Sequence, residues 1–243
     1  MNNRKQRIFA ILLASGYGTR LQCNLPKQFI VINKIPIFFY SLITFFKVKE
    51  INTIVLVINQ NFKSDIEKFI SKFHFENKVK IVVGGNSRHE SLVNGLNFLV
   101  NNLEIKPDDL VLTHDAARPF VSTKIIKNNI SKLLKNECEV TSTGIFSSDT
   151  IAWVESEKEI KNILDRKKIF LEQTPQAAKF KIFNEIYFQR NEIKQILNTT
   201  NDFCELALIL NKKIGIVNGN ILNFKITNRQ DLFLFKRLLN SKK

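Results

Sequence analysis

Glycine, proline and cysteine are all scarce in these 243 residues, at 8, 5 and 3 respectively, beside a single methionine and a single tryptophan. The three cysteines, Cys23, Cys138 and Cys204, are far apart and odd in number, which excludes a disulfide framework and every C-x-x-C metal or redox motif. No apolar run reaches the length of a membrane span. The basic start MNNRKQR leads into a short apolar stretch without an A-x-A-like cleavage site, so that stretch is expected to be a buried first strand and the protein cytoplasmic. Acidic residues are also in short supply: 22 Asp+Glu against 37 Lys+Arg leave a formal charge of +15. Taken alone, that charge suggests an anionic partner such as nucleic acid. The basic residues are nevertheless spread along the whole chain in the company of Asn, Ile and Phe, a bias that AT-rich coding produces without selection for binding. A solvated surface is the simpler reading. A nucleic-acid-binding protein stays as the alternative from another class, one that lacks an aromatic or basic recognition motif.

What is present is an alternation of strands and helices. Arg7–Ala14, Thr53–Ile58, Val79–Val83 and Asp109–Thr113 are short, β-branched or continuously apolar runs, the pattern of strands buried on both faces. Pro36–Phe46, Lys63–Phe73, Arg88–Asn101 and Thr123–Lys135 separate or follow them with helical spacing. Such alternation predicts parallel βαβ units and an α/β, doubly wound, mostly parallel Rossmann-like sheet. After about Val140 the pattern loosens. Glu139–Ile145 and Lys213–Val217 read as strands, Leu222–Thr227 as another, and Phe180–Gln189, Asp202–Leu210 and Gln230–Leu239 as helices. Thr150–Ile163 reads as two short strands around a charged turn, an excursion from the main sheet. With no repeat and no low-complexity linker, one domain over 1–243 is expected, with a protruding β-arm at about 147–166.

In an open parallel sheet, ligands bind at the carboxyl ends of the strands. The first such loop is Ala14-Ser15-Gly16-Tyr17-Gly18-Thr19-Arg20, continuing to Pro26-Lys27-Gln28. Two glycines after a buried strand let backbone N–H groups approach phosphate oxygens. The third glycine of a dinucleotide fingerprint is missing, and so is a GxxxxGK[ST] loop; Arg20 and Lys27 instead set two cations just past the turn, as a polyphosphate requires. At the end of the fourth strand lies His114-Asp115-Ala116-Ala117-Arg118. A carboxylate at a strand terminus can hold Mg²⁺, and Arg118 can meet a second phosphate. No GxSxG, HExxH or Cys–His pair offers an enzyme nucleophile. His74, His89 and His114 read as structural singletons, and Trp153 and Cys204 as packing residues.

The string LLASGYGTRLQCNLPKQF, followed in order by GGNSRHESL, HDAARPF, Asp149–Thr150, Asp165–Arg166, QTPQ at Gln173–Gln176 and NFKIT at Asn223–Thr227, resembles the 2-C-methyl-D-erythritol 4-phosphate cytidylyltransferase family over about Ile8 to Leu239. The ribitol-5-phosphate cytidylyltransferases share most of these blocks. The resemblance implies a nucleotidyltransferase that moves CMP from CTP to 2-C-methyl-D-erythritol 4-phosphate and releases pyrophosphate, with ribitol 5-phosphate as the alternative acceptor. It implies Mg²⁺ as cofactor, CTP and a polyol phosphate as small-molecule partners, and a homodimer, with no nucleic acid or membrane partner. Position by position, Ala14, Ser15 and Gly16 match the nucleotide loop. Arg20 and Lys27 match the pair that stabilises the transferring phosphate. Gly85, Asn86 and Ser91 match the cytidine loop, although the family usually carries Asp where Asn86 stands. Asp115 matches the metal and substrate carboxylate, with Ala116 beside it on the nucleotide side. Arg118, Thr150, Arg166 and Thr174 match residues around the polyol phosphate, several of them donated across the dimer by the arm. Lys225 matches a substrate-side lysine, and Asn223 a residue that helps hold the metal.

Overall fold

The computed structural model describes residues 5–16, 26–189 and 202–241. Its strands are β1 (Ile8–Ala14), β2 (Val31–Ile32), β3 (Ile35–Pro36), β4 (Thr53–Ile58), β5 (Val79–Val83), β6 (Leu110–Asp115), β7 (Val140–Phe146), β8 (Ile151–Ser156), β9 (Glu159–Leu164), β10 (Phe170–Lys179) and β11 (Ile214–Asn218). The helices are α1 (Ile37–Phe46), α2 (Lys63–Lys72), α3 (Arg88–Leu103), α4 (Thr123–Leu134), α5 (Phe180–Asn184), α6 (Phe203–Ile209) and α7 (Arg229–Asn240).

The strands form a seven-stranded sheet in the order β11-β7-β10-β6-β1-β4-β5. β1 lies between β4 and β6, parallel to both, and is buried along its whole length. Because successive side chains of a strand point to opposite faces, β1 feeds two cores. Ala10 and Leu12 pack with Phe38, Phe39 and Leu42 of α1 and with Ile126 and Ile130 of α4. Phe9 and Ile11 pack with Leu92, Leu96 and Leu99 of α3 and with Phe183 and Phe203. Helices thus cover both faces, as the expected doubly wound fold requires. A smaller apolar group under α7 joins Ile32, Ile37, Ile226 and Phe235.

Two features differ from the sequence reading. β10 has no counterpart there, and it runs antiparallel between β6 and β7. Its Pro175 argues against a central strand because proline cannot donate to a ladder. The structure accommodates it in a register shift between Gln173 and Gln176, where the ladder is interrupted. Conversely, Leu222–Thr227 is not a strand: Ile226 donates one backbone bond to the Ala117 carbonyl, and the buried Asn223 amide holds the rest of the segment. β8 and β9 pair with each other in a separate two-stranded sheet, the expected excursion. Trp153 on that hairpin is 57% exposed, so it does not serve packing within the chain. Cys204 and Cys138 are buried free thiols. Among the described residues, no helix is long and apolar enough to cross a membrane.

Candidate active site

A cleft of about 240 Å³ opens where β1, β5 and β6 end, lined by Ser15, Gly16, Lys27, Gln28, the segment 85–88, Asp115, Ala117, Lys225 and Thr227. A second hollow of about 410 Å³ shares Arg88, Asp115 and Lys225 with it and continues past Arg118, Thr174 and Gln176 to Glu172, Asp202 and Glu205. Asp115 therefore stands at the junction.

Its carboxylate is held on both oxygens: Arg88 Nε donates to Oδ1 at 3.2 Å and Lys225 Nζ to Oδ2 at 2.8 Å. Burial opposes ionisation, but the Arg88 and Lys225 charges outweigh it and keep the Asp115 carboxyl far below the usual range. The group is ionised at any working pH. Its backbone N–H would lose a ladder partner at the β10 register shift, and Thr174 Oγ1 accepts it instead at 3.1 Å. The Thr174 hydroxyl lies 2.9 Å from His114 Nδ1, and His114 Nε2 lies 3.3 Å from the Arg118 carbonyl. A carbonyl only accepts, so Nε2 carries the ring proton and Nδ1 accepts from Thr174. Burial lowers the His114 pKa to about 3, which keeps the ring neutral. The Arg118 guanidinium donates to the Asn223 carbonyl at 2.9 Å, and the Asn223 amide donates to Thr174 O and Gln173 Oε1. One continuous network thus fixes the end of β6, the bulge of β10 and the loop that carries Lys225.

The side of the cleft built from the loops after β1 and β5 is rigid for a different reason. Gly84 packs so tightly that an added Cβ would come within 2.5 Å of Ser15 Cβ and 2.7 Å of Ser91 Oγ. Ser15 and Ser91 share a 2.7 Å hydroxyl bond, and Gly85 N–H donates to Ser91 Oγ at 3.1 Å. Ser87 caps α3 by accepting from the Glu90 N–H, while Glu90 accepts from Asn86 N–H at 2.7 Å. The loops after β1 and β5 are thereby locked together.

The structure sorts the expected residues into three groups. Ser15, Gly16, Lys27, Gly85, Asn86, Asp115, Arg118, Thr174 and Lys225 line one hollow or the other. Ala14, Ser91, Ala116 and Asn223 do not: each is fully buried beneath the surface, Ala116 within the core. Ala117 rather than Ala116 lines the cleft; both lie in the turn after β6, and Ala116 is buried in the core. The Asn223 amide nitrogen holds the loop, and its Oδ1 is buried without a hydrogen-bond partner. Thr150 and Arg166 are exposed at the base of the hairpin and line neither hollow; the Arg166 guanidinium donates to the Ser148 carbonyl at 3.1 Å. Arg20 lies outside the described residues. Arg88 was given no role by the sequence, although it sits inside the GGNSRHESL block.

The donor chemistry suits Mg²⁺ at Asp115. It is the one carboxylate lining the main cleft among the described residues, and Mg²⁺ typically takes one or two carboxylates together with substrate phosphates. Glu172, Asp202 and Cys204 also bring their ligand atoms within 4.8 Å of one another. Burial raises both the Cys204 thiol and the Glu172 carboxyl, which disfavours their charged, cation-binding forms, and the thiol is a soft donor, a poor match for a hard cation.

The family model described as 2-C-methyl-D-erythritol 4-phosphate cytidylyltransferase matches residues 8–241. The chain belongs to this family. It is a cytidylyltransferase, a nucleotidyltransferase that uses CTP. The ribitol-5-phosphate cytidylyltransferase of Lactiplantibacillus plantarum is 31% identical over 236 residues, spanning 97% of this chain and 99% of that protein. The crystal structure of a 4-diphosphocytidyl-2C-methyl-D-erythritol synthase from Anaerococcus prevotii superposes with a TM-score of 0.78 at 26% identity, covering 97% of this chain and 99% of that one. The cytidylyltransferase of Francisella tularensis shares the fold with a TM-score of 0.77 at 24% identity, covering 96% and 99%. CTP and a sugar or polyol phosphate are the small-molecule substrates that fit this family.

Proposed function

We propose that this cytidylyltransferase transfers CMP from CTP to ribitol 5-phosphate, giving CDP-ribitol and pyrophosphate. A phosphate oxygen of the polyol phosphate attacks the α-phosphorus of CTP, a new P–O bond forms, and the bond to the β-phosphate breaks as pyrophosphate leaves. No enzyme nucleophile is needed; two anions must be brought together and the developing charge met. In this reading Lys27, with Arg20 beyond the described residues, faces the transferring phosphate. Gly85 and Asn86 face the base, and Lys225 and Arg118 hold the acceptor phosphate. Mg²⁺, when bound with the CTP phosphates near Asp115, neutralises phosphate charge. Such a reaction belongs in the cytoplasm, where CTP is made.

The observation that carries the acceptor is the second hollow. Its lining has cations at one end and Glu172, Gln173, Thr174, Gln176, Asp202 and Glu205 along the rest, with no apolar side chain among the described residues. Ribitol 5-phosphate presents four free hydroxyls and no methyl branch, which suits such a wall. The Lactiplantibacillus relative supports the same acceptor. The family model and the Anaerococcus structure favour a second reading, 2-C-methyl-D-erythritol 4-phosphate and a step in isoprenoid-precursor synthesis. Pyrophosphate release from CTP, measured with each acceptor in turn, separates them. A higher kcat/KM with the methylerythritol compound would install the second reading, and no release with either would remove both.

We also propose a homodimer through the arm. Val154, Ile160 and Ile163 join Trp153 as exposed apolar side chains on a hairpin whose backbone pairs only with itself. Such edges are satisfied by a two-fold partner. Thr150 and Arg166, idle in their own chain's cleft, would then reach the partner's acceptor hollow.

A further inference from the structure

We infer that Arg88 is the positioning residue for the Asp115 carboxylate, tying it to the loop that walls the nucleotide side of the cleft. The inference rests on the cytidylyl-transfer reading and adds a residue to it. Arg88 is the first residue of α3, immediately after the Ser87 cap. A cation there opposes the helix dipole, and burying a guanidinium adds a further cost. Local preference broken at one position signals a role elsewhere in the fold. The compensation is the 3.2 Å contact from Nε to Asp115 Oδ1. Lys225 reaches the other oxygen from a loop with no ladder bonds of its own, on a long and rotatable stem. Without Arg88 the carboxylate would be steered by that lysine alone. With it, both oxygens are fixed, and the plane of the carboxylate is referred to the Ser87-capped start of α3. Arg88 also borders both hollows, so a shift in its loop is felt by the one acidic group at their junction.

Three substitutions separate positioning from simple charge. The carboxamide nitrogen of glutamine stands as many bonds from Cα as Nε of arginine, so Arg88→Gln keeps the donor and discards the charge. Arg88→Met fills the space with neither, and Arg88→Lys keeps the charge but moves the donor one bond outward. A misplacement of about 1 Å at a reacting centre can cost on the order of 100-fold. Arg88→Met is therefore expected to lower kcat by about 30- to 100-fold, with the KM for CTP changing by less than about threefold. Arg88→Gln should recover about tenfold of that loss and more than Arg88→Lys does. All three must melt within a few degrees of the native chain. A crystal structure of Arg88→Met reads the carboxylate without turnover, and Asp115 is expected to have rotated away from its present orientation. An unmoved Asp115, or kcat within about twofold of native in Arg88→Met, overturns the inference. Rescue by Arg88→Lys alone, with a raised KM for CTP, would also overturn it, by making Arg88 a direct phosphate contact. Absence of pyrophosphate release by the native chain would instead overturn the transfer reading, leaving the crystal structure to judge Arg88.

Discussion

Thr174→Val removes one oxygen from the centre of the network and almost nothing else. Thr174 is buried and its hydroxyl has two partners: it accepts from Asp115 N–H at 3.1 Å and donates to His114 Nδ1 at 2.9 Å. Valine keeps the shape, so no cavity forms, but it leaves a buried backbone donor and a buried ring acceptor unpaired. Each such orphan costs about 1–3 kcal/mol, hence roughly 2–6 kcal/mol for the pair. With an unfolding entropy of about 2.1 cal/mol/K per residue, this chain loses about 0.5 kcal/mol per degree near its midpoint. The expected fall in Tm is thus about 4–12 °C by thermal denaturation. Turnover should fall as well, since the Asp115 backbone is no longer pinned. Thr174→Ser keeps the hydroxyl and should stay within about 2 °C of native. A Thr174→Val protein that melts with the native one would show that the Asp115–Thr174–His114 relay does not exist in solution.

Lys27→Ala should reduce kcat by about 100- to 1000-fold, the scale of a lost charge-stabilising donor, while CTP affinity in a binding titration changes little; near-native turnover in the folded variant would remove Lys27 from the transfer step. Acid should destabilise the protein through His114. Its folded pKa of about 3 lies below the ordinary 6.5, so the unfolded chain takes up the proton first, and stability present above about pH 6.5 is lost as pH falls toward 3. Between pH 7 and 5 this amounts to about 2 kcal/mol, read as a lower urea midpoint, and equal midpoints would contradict a neutral buried ring. Mixing Lys27→Ala with Arg166→Ala subunits should restore activity in up to roughly a quarter of all sites, because random exchange makes about half the dimers mixed and one site in each is then intact. No recovery after verified exchange would confine Arg166 to a role in its own chain.

Periodicity made the sheet and its covering helices legible because β1, β4 and β6 are buried on both faces, and burial of that kind leaves an unbroken apolar run, while the half-buried edge strand β5 keeps a β-branched one. β10 was hidden by chemistry that serves the site. Pro175 and the polar Glu172, Gln173, Thr174 and Gln176 break every strand signal, yet those polar side chains line the second hollow. Leu222–Thr227 misled in the other direction: its apolar residues pack under α7, but Asn223 side-chain bonds rather than a ladder hold the segment. Within the site, one-dimensional spacing located the loops but not the depth of each side chain. Ala116 and Ala117 lie side by side in the turn after β6, yet one is buried in the core and the other lines the cleft. Arg88 carried a signal that was available from sequence alone, an arginine at the first position of a Ser-capped helix, where the dipole disfavours it.

The overall charge and the local charge of the site have separate explanations. A surface excess of lysine acts through solvent, where screening reduces it beyond about 10 Å. Lys27, Arg88 and Lys225 line one cleft with a single carboxylate, and that arrangement is independent of the number of lysines elsewhere. Reverting much of the surface lysine to neutral residues would alter solubility and leave this balance intact. A nucleic-acid-binding reading needs the opposite, a spread of surface cations whose joint removal abolishes function and whose salt slope is steep. The buried ion pairs at Asp115, linked by hydrogen bonds into β6, β10 and α3, concentrate the functionally decisive charge at one point. It is there, and not in the composition, that two phosphates can be held in contact.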